Sequence, residues 1–356
     1  MKLQYFTYSL PMKKPFITSK ETFNCRQGVI IRLQKDGITA MGEAAPLPGF
    51  SRETHQNVLK EIKIIKEPVS NFLSSSFLLG DLDNFLAEHT PSPSLQFCLF
   101  TLCSFFLAQQ GKMSLHQFLF NNKTSRIPIN AVVDLNNETV VDTVNKFVSR
   151  GFETIKIKAG QDEQKLIKQL AIIRSKYPHI KLRIDANQSW SLEEALQIFE
   201  TIEPLGIEYC EEPLMNPGTK SLHSLKEKFN IPIALDESLV KQFAFGEAAE
   251  IADVLIIKPM VLGTHSIKRI KEIKTAKIIY TTSLESAVGR LMTASLAAGL
   301  GSKTMAHGLA TGHLFINDFW SDQPLIKNGF YQLSHADRLP EYMQTELDSI
   351  DVKKLN

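Results

Sequence analysis

From residue 127 onward the chain repeats one short unit, and that repetition limits its fold more than any other feature. Strand-like runs stand at IPINAVVD (127–134), TIKIKAG (154–160), KLRIDAN (181–187), IEYCEEP (207–213), PIALDES (232–238), VLIIKP (254–259), KIIYTTS (277–283) and TMAHGLA (304–310). Their starts lie 22 to 27 residues apart. The gaps have helical spacing. In DEQKLIKQLAIIRSKY, Leu166, Ile167, Leu170 and Ile173 share one face. SLEEALQIFETI opens with a capping box, Ser191 followed three residues on by Glu194. Strands alternating with helices at this period predict parallel βα units, and eight of them close a (β/α)8-type barrel.

The first part of the chain has another character. Residues 1 to 48 predict antiparallel strands, with a hairpin turned at Asp36-Gly37. Helical segments follow to about residue 121. One is the most apolar stretch, LQFCLFTLCSFFLA (95–108), with Pro93 and Ser94 at its start. It is shorter than the roughly 20 residues that cross a bilayer, so it predicts a buried helix. The expected organisation is an α+β capping domain over 1–125, a barrel over 126–318, and a tail over 319–356 that returns to the first domain.

Composition excludes several functions. A chain of 356 residues exceeds what one core usually fills, which suits a large domain with a smaller one. Net charge is only +2, so no broad field attracts nucleic acid or an anionic membrane. Cys25, Cys98, Cys103 and Cys210 form no CxxC pair, which argues against a zinc site or a disulfide framework. Reduced thiols and an N-terminus without a sustained apolar stretch predict a cytoplasmic protein.

In a parallel barrel, functional groups sit at the C-terminal ends of the strands. Here these ends carry Lys156 and Lys158 on the second, Asp185 and Asn187 on the third, and Glu211 and Glu212 on the fourth. The fifth ends with Asp236 and Glu237, and the sixth with Lys258. Three successive strands thus offer carboxylates at one rim, and such a group needs a cation to neutralise it. Oxygen ligands without histidine or cysteine favour Mg²⁺, with Mn²⁺ as the alternative. Lysines flank the acids. A lysine acts as a base when burial or a like charge lowers its pKa, and Lys156 supplies Lys158 with a like charge. Alone, an Asp at a strand end is an ordinary helix N-cap and a KxK pair an ordinary solvated edge. Their order on consecutive strands is what capping does not explain. Trp190 is expected to be packing. His307 is expected either to line the site or to support the eighth strand.

The order KxK, DxN, EEP, DES and KP on successive strands resembles the enolase superfamily, in its muconate-lactonising-enzyme-like branch. GEAAPLPGFSRET (42–54), RIDANQSW (183–190), TTSLES (281–286) and AHGLATG (306–312) resemble the o-succinylbenzoate synthases within it. The resemblance implies a modified barrel under a capping domain. It also implies Mg-dependent dehydration of a small dicarboxylate, 2-succinyl-6-hydroxy-2,4-cyclohexadiene-1-carboxylate, to o-succinylbenzoate in menaquinone biosynthesis. The expected route is a metal-stabilised ene-diolate, a mechanism known for this superfamily. The metal ligands implied are Asp185, Glu211 and Asp236, with Glu211 preferred to Glu212 on the resemblance alone. Lys158 is implied as the base and Lys258 as a cation facing the intermediate's ring, with Lys156 beside them. The segments 15–28 and 46–54 resemble loops that close the barrel mouth. Arg183, Asn187, Ser283 and His307 are expected substrate contacts.

Other reactions share this framework. Lysines on both faces also suit a racemase of N-succinylamino acids or a dipeptide epimerase. Dipeptide epimerases typically carry Asp-x-Asp at the eighth strand, where this chain reads AHGLATG without an acid. A non-catalytic binding barrel would be expected to have lost a ligand or a base, and none is missing.

Overall fold

The computed structural model of the chain describes residues 1–17, 22–135, 140–159, 162–320, 325–336 and 352–355. Part of the expected mouth-closing segment 15–28 therefore lies outside the described residues.

The chain begins with three long antiparallel strands, β1 (Lys2–Ile17), β2 (Thr22–Lys35) and β3 (Ile38–Ala44). The β2–β3 turn is Asp36-Gly37, with φ of 52° and 76°. Both values are positive, as a two-residue type I′ hairpin requires. Helices α1 (His55–Ser74) and α3 (Pro93–Gln110) pack on this sheet, and α2 (Asp81–His89) packs on α3. α3 is the apolar stretch foreseen from sequence. Proline sits in its first turn, and residues all round it are buried. It lies so close to β3 that a Cβ on Gly42 would stand 2.0 Å from the Cys98 carbonyl oxygen.

The barrel follows. β4 (Arg126–Pro128) leads into β5 (Ala131–Asp134), β6 (Thr154–Lys158), β7 (Lys181–Asp185) and β8 (Ile207–Glu211). β9 (Ile233–Leu235), β10 (Val254–Ile257) and β11 (Lys277–Tyr280) complete the run. β5 to β11 form one parallel sheet in sequence order. The eighth strand, expected over 304–310, is reduced to two parallel bridges, His307 to Ile129 and Gly308 to Thr281. These bridges still join the two ends of the sheet. His307 N donates to Pro128 O (2.9 Å), and Gly308 N donates to Tyr280 O (2.9 Å). The approach is tight, since a Cβ at Gly308 would meet Thr281 Cγ2 at 2.7 Å. The fold is a modified (β/α)8-type barrel with an N-terminal α+β capping domain.

Two apolar layers hold it together. A small cluster of Tyr209, Ala234, Val254, Ile256 and Ile279 fills the barrel interior. The main core packs between the sheet and the helices and continues into the first domain. Beyond residue 320 the chain touches both parts. β12 (Ile326–Lys327) and β13 (Phe330–Gln332) form a hairpin that pairs with β4. β14 (Val352–Lys354) pairs antiparallel with β1.

Candidate active site

Register places the site. Asp134, Lys158, Asp185 and Glu211 lie side by side on β5 to β8. One layer deeper lie Lys156, Arg183 and Tyr209. A register shift between β7 and β8 produces this match. Leu182 pairs with Ile207, but Arg183 pairs with Tyr209, so Glu208 is the extra residue. Without that bulge Cys210 would stand opposite Asp185. Bulges re-aim side chains in this way beside functional sites.

The acids and lysines meet at the mouth. Lys156 Nζ is 2.7 Å from Asp185 Oδ2 and 2.7 and 2.8 Å from the two Glu211 oxygens. Lys258 Nζ donates to Asp236 Oδ2. Lys158 forms no ion pair with a described residue. Its Nζ lies 4.6 Å from the centre of the Phe16 ring. Lys258 Nζ lies 4.2 Å from that of Phe50. The two segments expected to close the mouth thus each set an aromatic ring on a lysine.

Electrostatics separate the three lysines. Burial lowers the Lys158 pKa, aided by like charge from Lys156 and Lys258 and opposed by Asp185 and Asp134. Burial pulls Lys156 down too, but Asp185 and Glu211 outweigh it and hold its ammonium well above the usual range. Lys258 is raised in the same way, by Asp236 and Glu237 against burial. Burial and the neighbouring Asp185 push Glu211 up. For Asp185 itself, Lys156 and Lys158 outweigh burial and pull it down.

The two glutamates of the EEP run separate cleanly. Glu212 has φ of 44°, which swings its side chain away from the row. Its oxygens accept from Asp236 N (2.7 Å), Ser238 N (2.8 Å), Ser238 Oγ (2.6 Å) and Gln188 Nε2 (2.9 Å). Glu212 therefore braces the turn that carries Asp236, while Glu211 faces Asp185 and Lys156. Asp236 precedes a short helix, Glu237–Lys241, yet its side chain makes no capping bond. Its Oδ1 is buried without a partner.

Asp185, Glu211 and Asp236 are 2–6% exposed. They stand around two ammonium groups, and no ready-made metal cage exists among the described residues. Their chemistry nonetheless suits a hard divalent cation. All the donors are carboxylate oxygens, and the orphaned Asp236 Oδ1 has no other use in the fold.

Of the expected substrate contacts, only Asn187 is partly open at the mouth, where its backbone N donates to Asp185 Oδ1 (3.2 Å). Arg183 is corrected. It is wholly buried inside the barrel, bonded to Glu208 Oε2 (2.6 Å), Asn130 Oδ1 (3.2 Å) and Ala306 O (2.8 Å) and stacked on Tyr209. The inward alternation of β7 carries it one layer below the mouth. His307 takes the second of its two expected roles, support for the eighth strand, and is not a substrate contact. Its Nδ1 accepts from Tyr280 N (3.1 Å), so its Nε2 carries the proton and donates to Ser302 O (3.2 Å). Both bonds serve barrel closure. Ser283 is buried, with its N bonded to Glu285 Oε2 (2.5 Å) and its Oγ unpartnered. Trp190 is packing, as expected, with Nε1 donating to Glu163 Oε1 (3.0 Å).

Burial, aided by Arg183, lowers the His307 pKa to about 3 from 6.5. The unfolded chain therefore takes up a proton that the folded chain refuses. This contribution to stability is present above about pH 6.5 and is lost as pH falls towards 3. Denaturation series across that range are expected to show a shallower acid slope for His307→Gln than for the parent. Equal slopes would contradict the neutral assignment.

Sequence reading missed a polar seam between the domains. Arg26 on β2 is 1% exposed. It donates to Ala45 O (2.8 Å) and Pro46 O (2.9 Å) in the capping domain, and to Ser283 O (3.3 Å) and Leu284 O (3.1 Å) beside the mouth. Glu43 on β3 accepts from Ser286 N (2.8 Å) and Gly289 N (2.8 Å), at the start of the barrel helix Ala287–Leu300, and from Tyr8 Oη. It is a cap supplied across a domain boundary.

Comparison with known proteins agrees with this architecture. Residues 139–337 match the family described as enolase C-terminal domain-like, and residues 1–76 match the MenC N-terminal domain. The chain is 25% identical to o-succinylbenzoate synthase of Desulfotalea psychrophila, over 90% of this chain and 96% of that one. It is 26% identical to L-Ala-D/L-Glu epimerase of Bacillus subtilis, over 84% of each. The dipeptide epimerase of Enterococcus faecalis V583, solved with Mg and the dipeptide L-Leu-L-Tyr, superposes with a TM-score of 0.75. That match has 20% identity and covers 89% of this chain and 93% of that one. With more than half of its length matched to the family and a barrel whose acids and lysines stand on the expected strands, the chain belongs to the enolase superfamily.

Proposed function

We propose that the chain is an o-succinylbenzoate synthase, a carbon–oxygen lyase of menaquinone biosynthesis. It would dehydrate 2-succinyl-6-hydroxy-2,4-cyclohexadiene-1-carboxylate to o-succinylbenzoate with Mg²⁺, or Mn²⁺, as cofactor. The observation that carries this reading is the contrast between the lysines. Lys156 and Lys258 are tied to carboxylates, whereas Lys158 has a lowered pKa, forms no ion pair with a described residue and lies against the Phe16 ring. It is the one lysine poised to accept a proton.

Asp185, Glu211 and Asp236 are the residues that would hold the cation. Bound there, it supplies positive charge to the substrate carboxylate as negative charge builds on it. Lys156 keeps Asp185 and Glu211 in place. Lys158 takes the proton from the carbon next to the carboxylate. The electron pair left behind expels the hydroxide from the neighbouring carbon, and the Lys158 ammonium returns its proton to form water. Aromatisation of the ring drives that loss. Lys258 faces the ring as a cation, at the place where Phe50 now lies. The capping segments exclude water from the site.

N-succinylamino acid racemisation is the second reading, favoured by lysines on both sides of the site and by the epimerase relatives. Absence of an acid in AHGLATG weighs against dipeptides. An assay with the cyclohexadiene is expected to give o-succinylbenzoate with Mg²⁺ and none after chelation. Deuterium exchange into N-succinylamino acids without any dehydration would transfer the assignment to the racemase.

A further inference from the structure

The seam between the domains holds a second buried acid, which the proposed chemistry does not use. Glu285 follows the loop after β11, at the barrel mouth, and is fully buried. Its Oε2 accepts from Ser283 N (2.5 Å), a bond that spans Leu284. Leu284 has φ of 59°, a left-handed backbone that a leucine keeps only when its surroundings hold it there. Arg26 grips the same loop from the capping domain, through Ser283 O and Leu284 O.

Glu43 stands beside Glu285. A Cβ on Gly289 would lie 2.6 Å from Glu285 Cγ and 3.0 Å from Glu43 Oε2, so the two acids meet over one bare turn of helix. Glu43 accepts from Ser286 N, Ser286 Oγ, Gly289 N and Tyr8 Oη, a set of donors that suits an ionised carboxylate. Glu285 is placed differently. Its Oε1 faces Thr293 Oγ1 at 2.9 Å, and that hydroxyl also lies 3.0 Å from Gly289 O. The hydroxyl has one proton, and two acceptors claim it. A proton on Glu285 Oε1 resolves the conflict. The carboxyl O–H then donates to Thr293 Oγ1, and Thr293 donates to Gly289 O.

Charge balance asks for the same proton. Among the described residues around the pair, Arg26 answers Glu43, and Arg290 pairs with Asp318 (2.6 Å). Burial keeps Tyr8 and Cys98 protonated, and it lowers the pKa of His55 on the far side of Arg26. These groups leave no cation over for Glu285, and an uncompensated buried charge is costly.

We infer that one proton serves the two acids, carried by Glu285, and that it works as a clasp. While it is in place the mouth loop stays fastened to the capping domain, and its loss releases the loop. Burial and the neighbouring Glu43 push the Glu285 pKa up to about 7. Opening the loop lets the carboxylate reach water, where its ordinary value is 4.5. Ionisation therefore favours opening by up to about tenfold per pH unit between those two values. The sign is that of a raised acid: the stability Glu285 adds is present below about pH 4.5 and is lost as pH rises towards 7. The clasp is independent of which reaction the site performs.

The test follows hydrogen exchange at the Ser283 N–H in the full chain with Mg²⁺, corrected for the intrinsic base-catalysed rate. In the parent the corrected rate is expected to climb from about pH 5 to 7 and to level off above. Glu285→Gln keeps a donor for Thr293 and an acceptor for Ser283 N but cannot ionise, so its corrected rate should stay flat. Infrared difference spectra between the two proteins should show one carboxylic-acid band that the parent loses near pH 7. Acids common to both, Glu211 among them, cancel in that difference. A parent without the band would overturn the clasp. So would an exchange rate that climbs equally in Glu285→Gln. If the variant fails to fold, the parent's exchange profile decides alone, and a profile without the climb and plateau overturns the inference.

Discussion

Lys158→Ala is expected to lower kcat by about 10²- to 10⁴-fold, the usual contribution of a positioned general base. The argument for so large a loss is geometric. Lys156 cannot substitute, because its Nζ is committed to Asp185 and Glu211. Lys258 cannot either, since it is bound to Asp236 on β10's side of the mouth. Lys158→Arg should fail as well. A guanidinium does not deprotonate in proteins and offers no base. Substrate affinity should change far less than kcat, because the cation-binding acids are untouched. The measurement is steady-state kinetics with excess Mg²⁺, together with solvent-deuterium exchange at the carbon next to the carboxylate. Undiminished turnover in Lys158→Ala would remove the base assignment. It would also revive the non-catalytic reading if the parent proved inactive too.

Arg26→Met is expected to be the most damaging substitution to stability, at about 3–5 kcal/mol. Methionine fills much of the volume but donates nothing. Four buried carbonyls, those of Ala45, Pro46, Ser283 and Leu284, would lose their shared donor. Buried Glu43 would also lose a nearby positive charge, in a place where burial already pushes its carboxyl up. Arg26→Lys keeps a charge but cannot reach four acceptors in a fork, so it should recover only part of the loss. Thermal melts report the effect directly. The seam leads through Pro46 towards Phe50, so both variants should also raise KM. A variant that melts like the parent would show that the Arg26 bonds add nothing to the hold between the domains.

Much of this molecule was legible in its residues. The repeat of strand and helix gave the barrel because period-two and period-3.6 patterns alternate without ambiguity over 127–283. The hairpin at Asp36-Gly37 was legible because few residue pairs accept two positive φ values. Arg26 was not. Its partners are main-chain carbonyls, which leave no trace in residue type. Arg183 misled, and the two expectations for His307 could not be separated, for a related reason. Arg183 shares a face with Asp185 but lies two residues deeper in the barrel, and barrel closure holds His307 inward. The eighth strand was over-read as seven residues, because an apolar run beside glycines does not say how many of them find a partner.

The strand end at which each of these acids and lysines stands was legible in the sequence alone. Which glutamate of the EEP run joins them was decided only in three dimensions. Counting alternate residues from Ile207 gives no answer until the register against β7 is known. The bulge at Glu208 supplies it, adding one residue to β8 so that Glu211 draws level with Asp185. The positive φ at Glu212 then turns the second carboxylate into the brace beneath Asp236. Both depend on the neighbouring strand, and a neighbour 25 residues away exerts no pull until the sheet has formed.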